Sequence, residues 1–341
     1  MRWLIWWPPL WAGVTLVTLA TGRWWWALSA FLLAVFTNVA RTAERVPQYG
    51  LEHALTVESE AFRDSLAGLA GTPFLGGNTV TILNNGKAFY PAMLDAIANA
   101  RHSITMEAYI YWDGDVGRQF AGALAERARS GVSVKLLLDA VGSTPIGAEI
   151  LAELERGPCQ LAWFNPLRWW SLDKVNNRTH RKSLIVDGEI AFTGGAGIAD
   201  HWMGDAEDDL HWRDLMVRVQ GPAAVPLQTG FAQNWLETTC EVVSGPRFFP
   251  SVPAGGTLDV QTVLSSPGTG ASVARLTYFL ALASARSSVL IANPYFVPDR
   301  VALDLIASAR ARRVSVDIIV AGRRNDNWLA RRNSVRLYGR L

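Results

Sequence analysis

Cysteine is nearly absent from this 341-residue chain: Cys159 and Cys240 stand apart, with no CxxC and no Cys/His cluster. A disulfide framework and a structural zinc site are thereby excluded as organising devices. A charge excess of one sign is missing too, since 32 basic residues face 30 acidic ones and leave a net charge of +2. No bulk basic surface is available for nucleic acid, which is not expected as a partner. Lysine is scarce, 4 residues against 28 arginines, so each lysine calls for its own explanation. Charged residues make up 18% of the chain and hydrophobic ones 50%, which is apolar for a protein surrounded only by water.

That apolar excess sits at the N-terminus, where seven of the 15 tryptophans fall within the first 26 positions. Residues 3–20 and 24–40 are two nearly uncharged runs parted by Thr21, Gly22 and Arg23. Each is close to the roughly 20 residues that cross a bilayer. Arg2 precedes the first run, and Arg41 and Arg45 follow the second, so the positive-inside rule puts both ends and the globular part in the cytoplasm. The pattern predicts a membrane anchor over residues 1–45, built as a two-helix transmembrane hairpin. Pro8, Pro9, Ser29, Thr37 and Asn38 keep an interfacial or re-entrant anchor open as the alternative.

Residues 46–72 read as a polar, partly amphipathic connector. Strand and helix patterns then alternate: strand 80–83, helix 88–100, strand 103–111, helix 116–130 and strand 132–139. This order predicts an α/β sandwich with much parallel sheet. The pattern also returns. "AIANARHSI" from Ala96 matches "ALASARSSV" 185 residues later, and "VSVKLLL" from Val132 matches "VSVDIIV" 182 residues later. Two paired matches at nearly equal offsets indicate duplication. The expected organisation is a first domain over 73–245, a Pro/Gly-rich linker over 246–257 and a partial second copy over 258–341.

The first copy contains "NNRTHRKSLIVDGEIAFTGGAGIADHW" from Asn176, in which His180, Lys182 and Asp187 form HxKxxxxD. About 0.06 HxK pairs are expected by chance in this composition, before the later Asp is required. "RKSLIV" and "EIAF" read as strands joined by the hairpin signal Asp187-Gly188. Side chains two apart on a strand share a face, so His180 and Lys182 would present imidazole and ammonium together. A phosphate diester needs a nucleophile for phosphorus and fixed positive charge for its oxygens, and this pair supplies both. Taken singly, each residue also has a structural explanation, Asp187 most simply as a turn former.

HxKxxxxD followed by paired glycines resembles the phospholipase D superfamily. "NxRxHRKxxxVDG", "GGxxIAD", "WRD", "YIYWDGDVG" and "NPYFVPDR" are similar to bacterial cardiolipin synthases. The resemblance covers about residue 76 to the end of the sequence. It implies a duplicated α/β/α sandwich, its second copy incomplete here, behind N-terminal transmembrane helices at the bacterial inner membrane. By the same resemblance His180 is the nucleophile that forms a phosphohistidine, Lys182 binds the phosphate and Asp187 shapes the loop. Asp214 occupies the position of the carboxylate that orients the histidine, with an edge-of-strand surface acid as its alternative. Asn177 and Arg178 are candidates for substrate binding. The family reaction uses no metal or other cofactor. Where the family usually carries Asn two residues after the paired glycines, this chain has Gly197. The repeat offset would put the second motif's His at roughly position 362, beyond the last residue given; the expectation is a truncated enzyme of impaired activity.

The implied reaction moves a phosphatidyl group from one phosphatidylglycerol to another. Two alternatives stay open: a phospholipase D or phosphodiesterase that hydrolyses phospholipid, and a non-catalytic lipid-binding pseudoenzyme. A homo-oligomer that pairs two His180 residues is a further possibility.

Overall fold

The computed structural model describes residues 8–42, 55–166, 177–265, 273–322 and 328–340. The chain divides into two compact units, residues 55–265 and the remainder.

The larger unit begins with helix α3 (Glu60–Ala70), capped by the Ser59 hydroxyl at the Phe62 N–H. Eight strands then build one mixed sheet: β1 (Leu75–Asn84), β2 (Ser103–Ala108), β3 (Ser133–Asp139), β4 (Gln160–Phe164), β5 (Ser183–Val186), β6 (Ile190–Gly194), β7 (Leu215–Gln220) and β8 (Leu258–Val260). Their spatial order is β4-β3-β2-β5-β6-β7-β1-β8. The β2, β3 and β4 strands run parallel, and every other pairing is antiparallel. The parallel character is therefore confined to three neighbouring strands.

Alternation along the strands decides which layer each residue joins. Leu136 and Leu138 of β3, with Ile104, Met106, Leu184 and Phe192, form the core beneath α4 (Asn85–Ala98), α5 (Asp115–Arg129) and α6 (Ala148–Arg156). Leu137, Ile185 and Ala191 face the opposite way and meet Phe231 and Trp235 of α7 (Ala224–Thr239). The result is the expected α/β/α sandwich. Lys135, on the α7 side of β3, is buried against the Trp235 ring, with its ammonium 2.7 Å from Glu241.

The Pro/Gly-rich segment 246–257 does not separate the two units. Phe248 is buried in the α7-side core, the Gly255 and Gly256 N–H groups both donate to the Gly77 carbonyl, and β8 joins β1 at the sheet edge. Its prolines and glycines make turns that stay packed on the first unit, which runs on to residue 265.

The other unit contains α1 (Pro8–Ala20), α2 (Trp24–Thr42), α8 (Val273–Ser284), β9 (Ser288–Ala292), α9 (Arg300–Ala311), β10 (Ser315–Ile319) and α10 (Trp328–Leu337). The β9 and β10 strands pair in parallel, as β2 and β3 do. The strand-helix-strand order of the first copy thus recurs where the sequence repeat places it. The N-terminal helices do not confirm the expected transmembrane hairpin. Two helices do form, joined by a turn in which Gly22 adopts φ 70°. The described part of α1, Pro8–Ala20, has 13 residues, about 20 Å at 1.5 Å per residue, against a hydrocarbon core of about 30 Å. Among the described residues no helix is long and apolar enough to cross a membrane. Residues 3–7 of the first predicted run lie outside the described residues.

The β5–β6 hairpin is formed as its sequence predicts, with Asp187 at φ 53° and Gly188 at φ 69°, the left-handed pair of a tight primed turn. The Asp187 carboxylate does more than turn the chain, accepting the backbone N–H groups of Arg101, His102 and Ser103 at 2.7–2.9 Å where β2 begins. Asp187→Ala leaves those donors without an acceptor. It is expected to lower stability in urea denaturation by about 2 kcal/mol while leaving the chemistry at His180 intact.

Candidate functional site

Residues 177–182 run outside regular structure into the start of β5, so the strand predicted from Arg181 starts two residues later, at Ser183. What fixes this approach is Thr179, buried immediately before His180. Its N–H donates to Asp139 Oδ2 at 3.1 Å and its hydroxyl to Glu107 Oε1 in a short hydrogen bond. Asp139 ends β3, and Glu107 is the penultimate residue of the neighbouring parallel β2. Both carboxylates thus lie at the carboxyl ends of parallel strands, where α/β sheets commonly place their sites.

With Thr179 held, His180 and Lys182 meet over one ring. The His180 imidazole lies 4.8 Å from the Tyr109 ring centroid and Lys182 Nζ lies 5.3 Å from it. Lys182 Nζ also donates to the His180 carbonyl at 2.9 Å. His180 is exposed, yet the protein around it desolvates the ring. That desolvation, with the nearby Lys182 charge, pushes its pKa below the ordinary 6.5, against an opposing pull from Asp139. At neutral pH the imidazole is therefore uncharged and has a lone pair to offer. Lys182 is buried, and burial brings its pKa down to about 8 while Asp214, Glu107 and Asp139 hold it up.

The remaining predicted residues are placed differently. Asp214 precedes β7, accepting the Trp202 indole N–H at 3.2 Å and the Leu215 N–H at 2.8 Å. Gly195 packs directly on its carboxylate, where an added Cβ would come within 2.3 Å of Oδ1. Burial raises the Asp214 pKa, opposed by those hydrogen bonds and by Lys182. These hydrogen bonds run to Trp202 and the backbone rather than to His180, and its tie to the motif is electrostatic, through the Lys182 charge. Arg178 turns to the protein, bonding to the Asn165 carbonyl and lying 3.5 Å from Asp139, while the Asn177 carbonyl accepts the Asn165 amide. Both tie down the loop that enters the site. Asp187 lies at the far end of β5 from Lys182, outside this cluster. Gly197 sits against Ile110, and a Cβ there would meet Ile110 Cβ at 2.8 Å, so this backbone has no room for the Asn side chain usual in the family. Among the described residues no group of three or more His, Cys, Asp or Glu is arranged to hold a metal ion.

Residues 93–235, which contain every member of this cluster, match the family described as "Cardiolipin synthase, PLD-like domain". The chain carries a phospholipase D-like domain. Cardiolipin synthase 1 of Bacillus anthracis is 30% identical over 285 residues, covering 81% of this chain and 56% of that protein. Cardiolipin synthase A of Pseudomonas putida is 33% identical over 278 residues, covering 80% and 57%. The chain thus spans about half the length of the curated relatives it matches. The crystal structure of phosphatidylserine synthase from Haemophilus influenzae Rd KW20 shares the fold at TM-score 0.55 and 16% identity, covering 76% of this chain and 65% of that one.

Within the phospholipase D-like domain, Glu107, Tyr109, Asp139 and Asn234 are site neighbours that the motif alone did not identify. Two of them carried a signal: Glu107 is the only charged residue in the β2 run "SITMEA", and Asp139 is the acid that ends "SVKLLLD". The buried Lys182 sets a testable pH dependence. Below about pH 8 its ammonium is charged, and affinity for a dialkyl phosphate monoanion is expected to be flat. Above that value affinity should fall about tenfold per pH unit as the proton is lost. Titration calorimetry checks this, with Lys182→Arg expected to remove the decline and Lys182→Met to abolish binding.

Proposed function

We propose that the phospholipase D-like domain performs phosphatidyl transfer between two phosphatidylglycerol molecules. An uncharged His180 nitrogen attacks phosphorus, the P–O bond to the headgroup glycerol breaks, and the glycerol oxygen leaves with a proton taken from water, which the acceptor hydroxyl returns in the second step. A hydroxyl of the second phosphatidylglycerol then displaces the histidine to give cardiolipin. Lys182 holds the non-bridging oxygens, whose charge grows as the bond forms. The observation that supports this most directly is the pairing of a neutral imidazole with a buried ammonium over Tyr109. The named relatives are cardiolipin synthases, which favours a lipid alcohol over water as the acceptor.

The substrate lies in a membrane, and the N-terminal helices suit a lipid surface. Trp24, Trp25 and Trp26 at the start of α2, with Leu16 and Val17 of α1 and Phe31 and Leu32 of α2, expose large apolar side chains. We infer that this helix pair enters the lipid interface, where indole rings sit well, and so brings the domain to its substrate. Replacing the three tryptophans by Ser in the full chain is expected to reduce co-sedimentation with phosphatidylglycerol vesicles at least tenfold.

An alkoxide leaves poorly without a proton, and a positioned acid is typically worth about 10²–10⁴ in rate. A diester with a nitrophenolate leaving group needs no such acid, so it isolates the step assigned to His180. With an alkyl p-nitrophenyl phosphate labelled at phosphorus, the chain is expected to release nitrophenolate and carry acid-labile label on His180. The His180→Ala variant should do neither. Release that persists in His180→Ala would contradict the assignment. With phosphatidylglycerol vesicles, phosphatidic acid in place of cardiolipin would identify water as the acceptor.

A further inference from the structure

We propose that the outward face of α10, formed by Trp328, Leu329, Arg332, Val335 and Arg336, is a docking surface for an anionic lipid membrane. It is separate from the N-terminal helix pair and does not rest on the chemistry assigned to His180.

Charge is spread unevenly along a chain whose total is nearly balanced. Residues 273–341 hold 12 arginines against four aspartates, with no lysine or glutamate, a net charge of +8. The residues before them carry 20 basic and 26 acidic side chains. Such an asymmetry between parts of one chain points to a polyanionic partner, a nucleic acid or a membrane.

The make-up of the face decides between the two. With 3.6 residues per turn, Trp328, Leu329, Arg332, Val335 and Arg336 fall on one side of α10, while Ala330, Ser334 and Leu337 fall on the other. The structure keeps that division. Ser334 is buried and Ala330, Arg331 and Leu337 are half-buried, and Arg331 ties the helix back by donating to the Gly322 carbonyl at 2.9 Å. Trp328, Leu329 and Val335 are 65%, 54% and 46% exposed, with Arg332 and Arg336 exposed among them. A nucleic acid backbone rewards the arginines and leaves leucine and valine in water. A lipid interface takes both: apolar side chains enter the acyl boundary, guanidinium groups meet the phosphates and the indole sits at headgroup level.

The first copy supplies an internal comparison. The α6 helix follows β3 as α10 follows β10. Its exposed residues are Ala148, Glu149, Ala152, Glu155 and Arg156, an ordinary solvated face. Exposed tryptophan, leucine and valine are therefore no requirement of a helix at this place in the repeated order.

The test reads α10 locally in the full chain. With Cys159→Ala and Cys240→Ala in place, an environment-sensitive fluorophore on Val335→Cys is expected to shift its emission to the blue on phosphatidylglycerol vesicles. Co-sedimentation of the otherwise unaltered chain with the same vesicles should weaken about tenfold or more in Arg332→Gln/Arg336→Gln, with binding to phosphatidylcholine vesicles unchanged. Trp328→Ser/Leu329→Ser should weaken phosphatidylglycerol binding to a similar extent. An emission that does not respond to the vesicles, or sedimentation indifferent to both pairs, overturns the inference. So does vesicle binding that depends on the arginine pair alone and is competed away by short duplex DNA, which marks a general polyanion site. Docking through α10 in a chain that shows no His180-dependent nitrophenolate release would support this surface while counting against the phosphodiester reading.

Discussion

The candidate site depends on one short contact, the clamp on Thr179. Its N–H is taken by Asp139 and its hydroxyl by Glu107, so two parallel strands grip the residue that precedes His180. Residues 177–182 have no ladder hydrogen bonds of their own. Arg178, Asn177 and Arg181 tie the segment down on either side, and the clamp fixes the backbone between them, immediately before the His180 ring that lies with the Lys182 ammonium over Tyr109. A site loosened by an ångström loses much of its rate, so this clamp matters more to chemistry than its single pair of hydrogen bonds suggests.

The same carboxylates solve an electrostatic problem. A lysine buried enough to bind a phosphate strongly is also buried enough to lose its proton. Here desolvation lowers the Lys182 pKa, and Asp214, Glu107 and Asp139 oppose it. The imidazole gains from the opposite tendency, since desolvation and the lysine charge keep it neutral. One compact arrangement therefore yields a charged lysine and an uncharged histidine at the same pH.

Much of this was legible in the sequence. HxKxxxxD, the Asp187-Gly188 turn, the α/β alternation and the repeat were each readable because they are local or periodic. The clamp was not, because Glu107 and Asp139 lie 72 and 40 residues before Thr179 and meet it only through sheet pairing. Asp187 shows a limit of motif reading: it belongs to the pattern but acts at the start of β2, holding three backbone N–H groups. The N-terminal runs show another: counting apolar residues suggested two spans, whereas among the described residues no helix is long and apolar enough to cross a membrane. Composition failed in a similar way at 246–257, where prolines and glycines signalled a boundary but form turns against the first unit's core.

The central claim is that the Thr179 clamp holds His180 in a desolvated, uncharged state beside Lys182. Histidine-selective ¹⁵N NMR titration of the wild type and of Thr179→Val tests it most directly. The account predicts that His180 titrates below the ordinary 6.5 in the wild type and moves back toward it when the clamp is removed. A wild-type His180 that titrates at or above 6.5, or a midpoint indifferent to Thr179→Val, would contradict it.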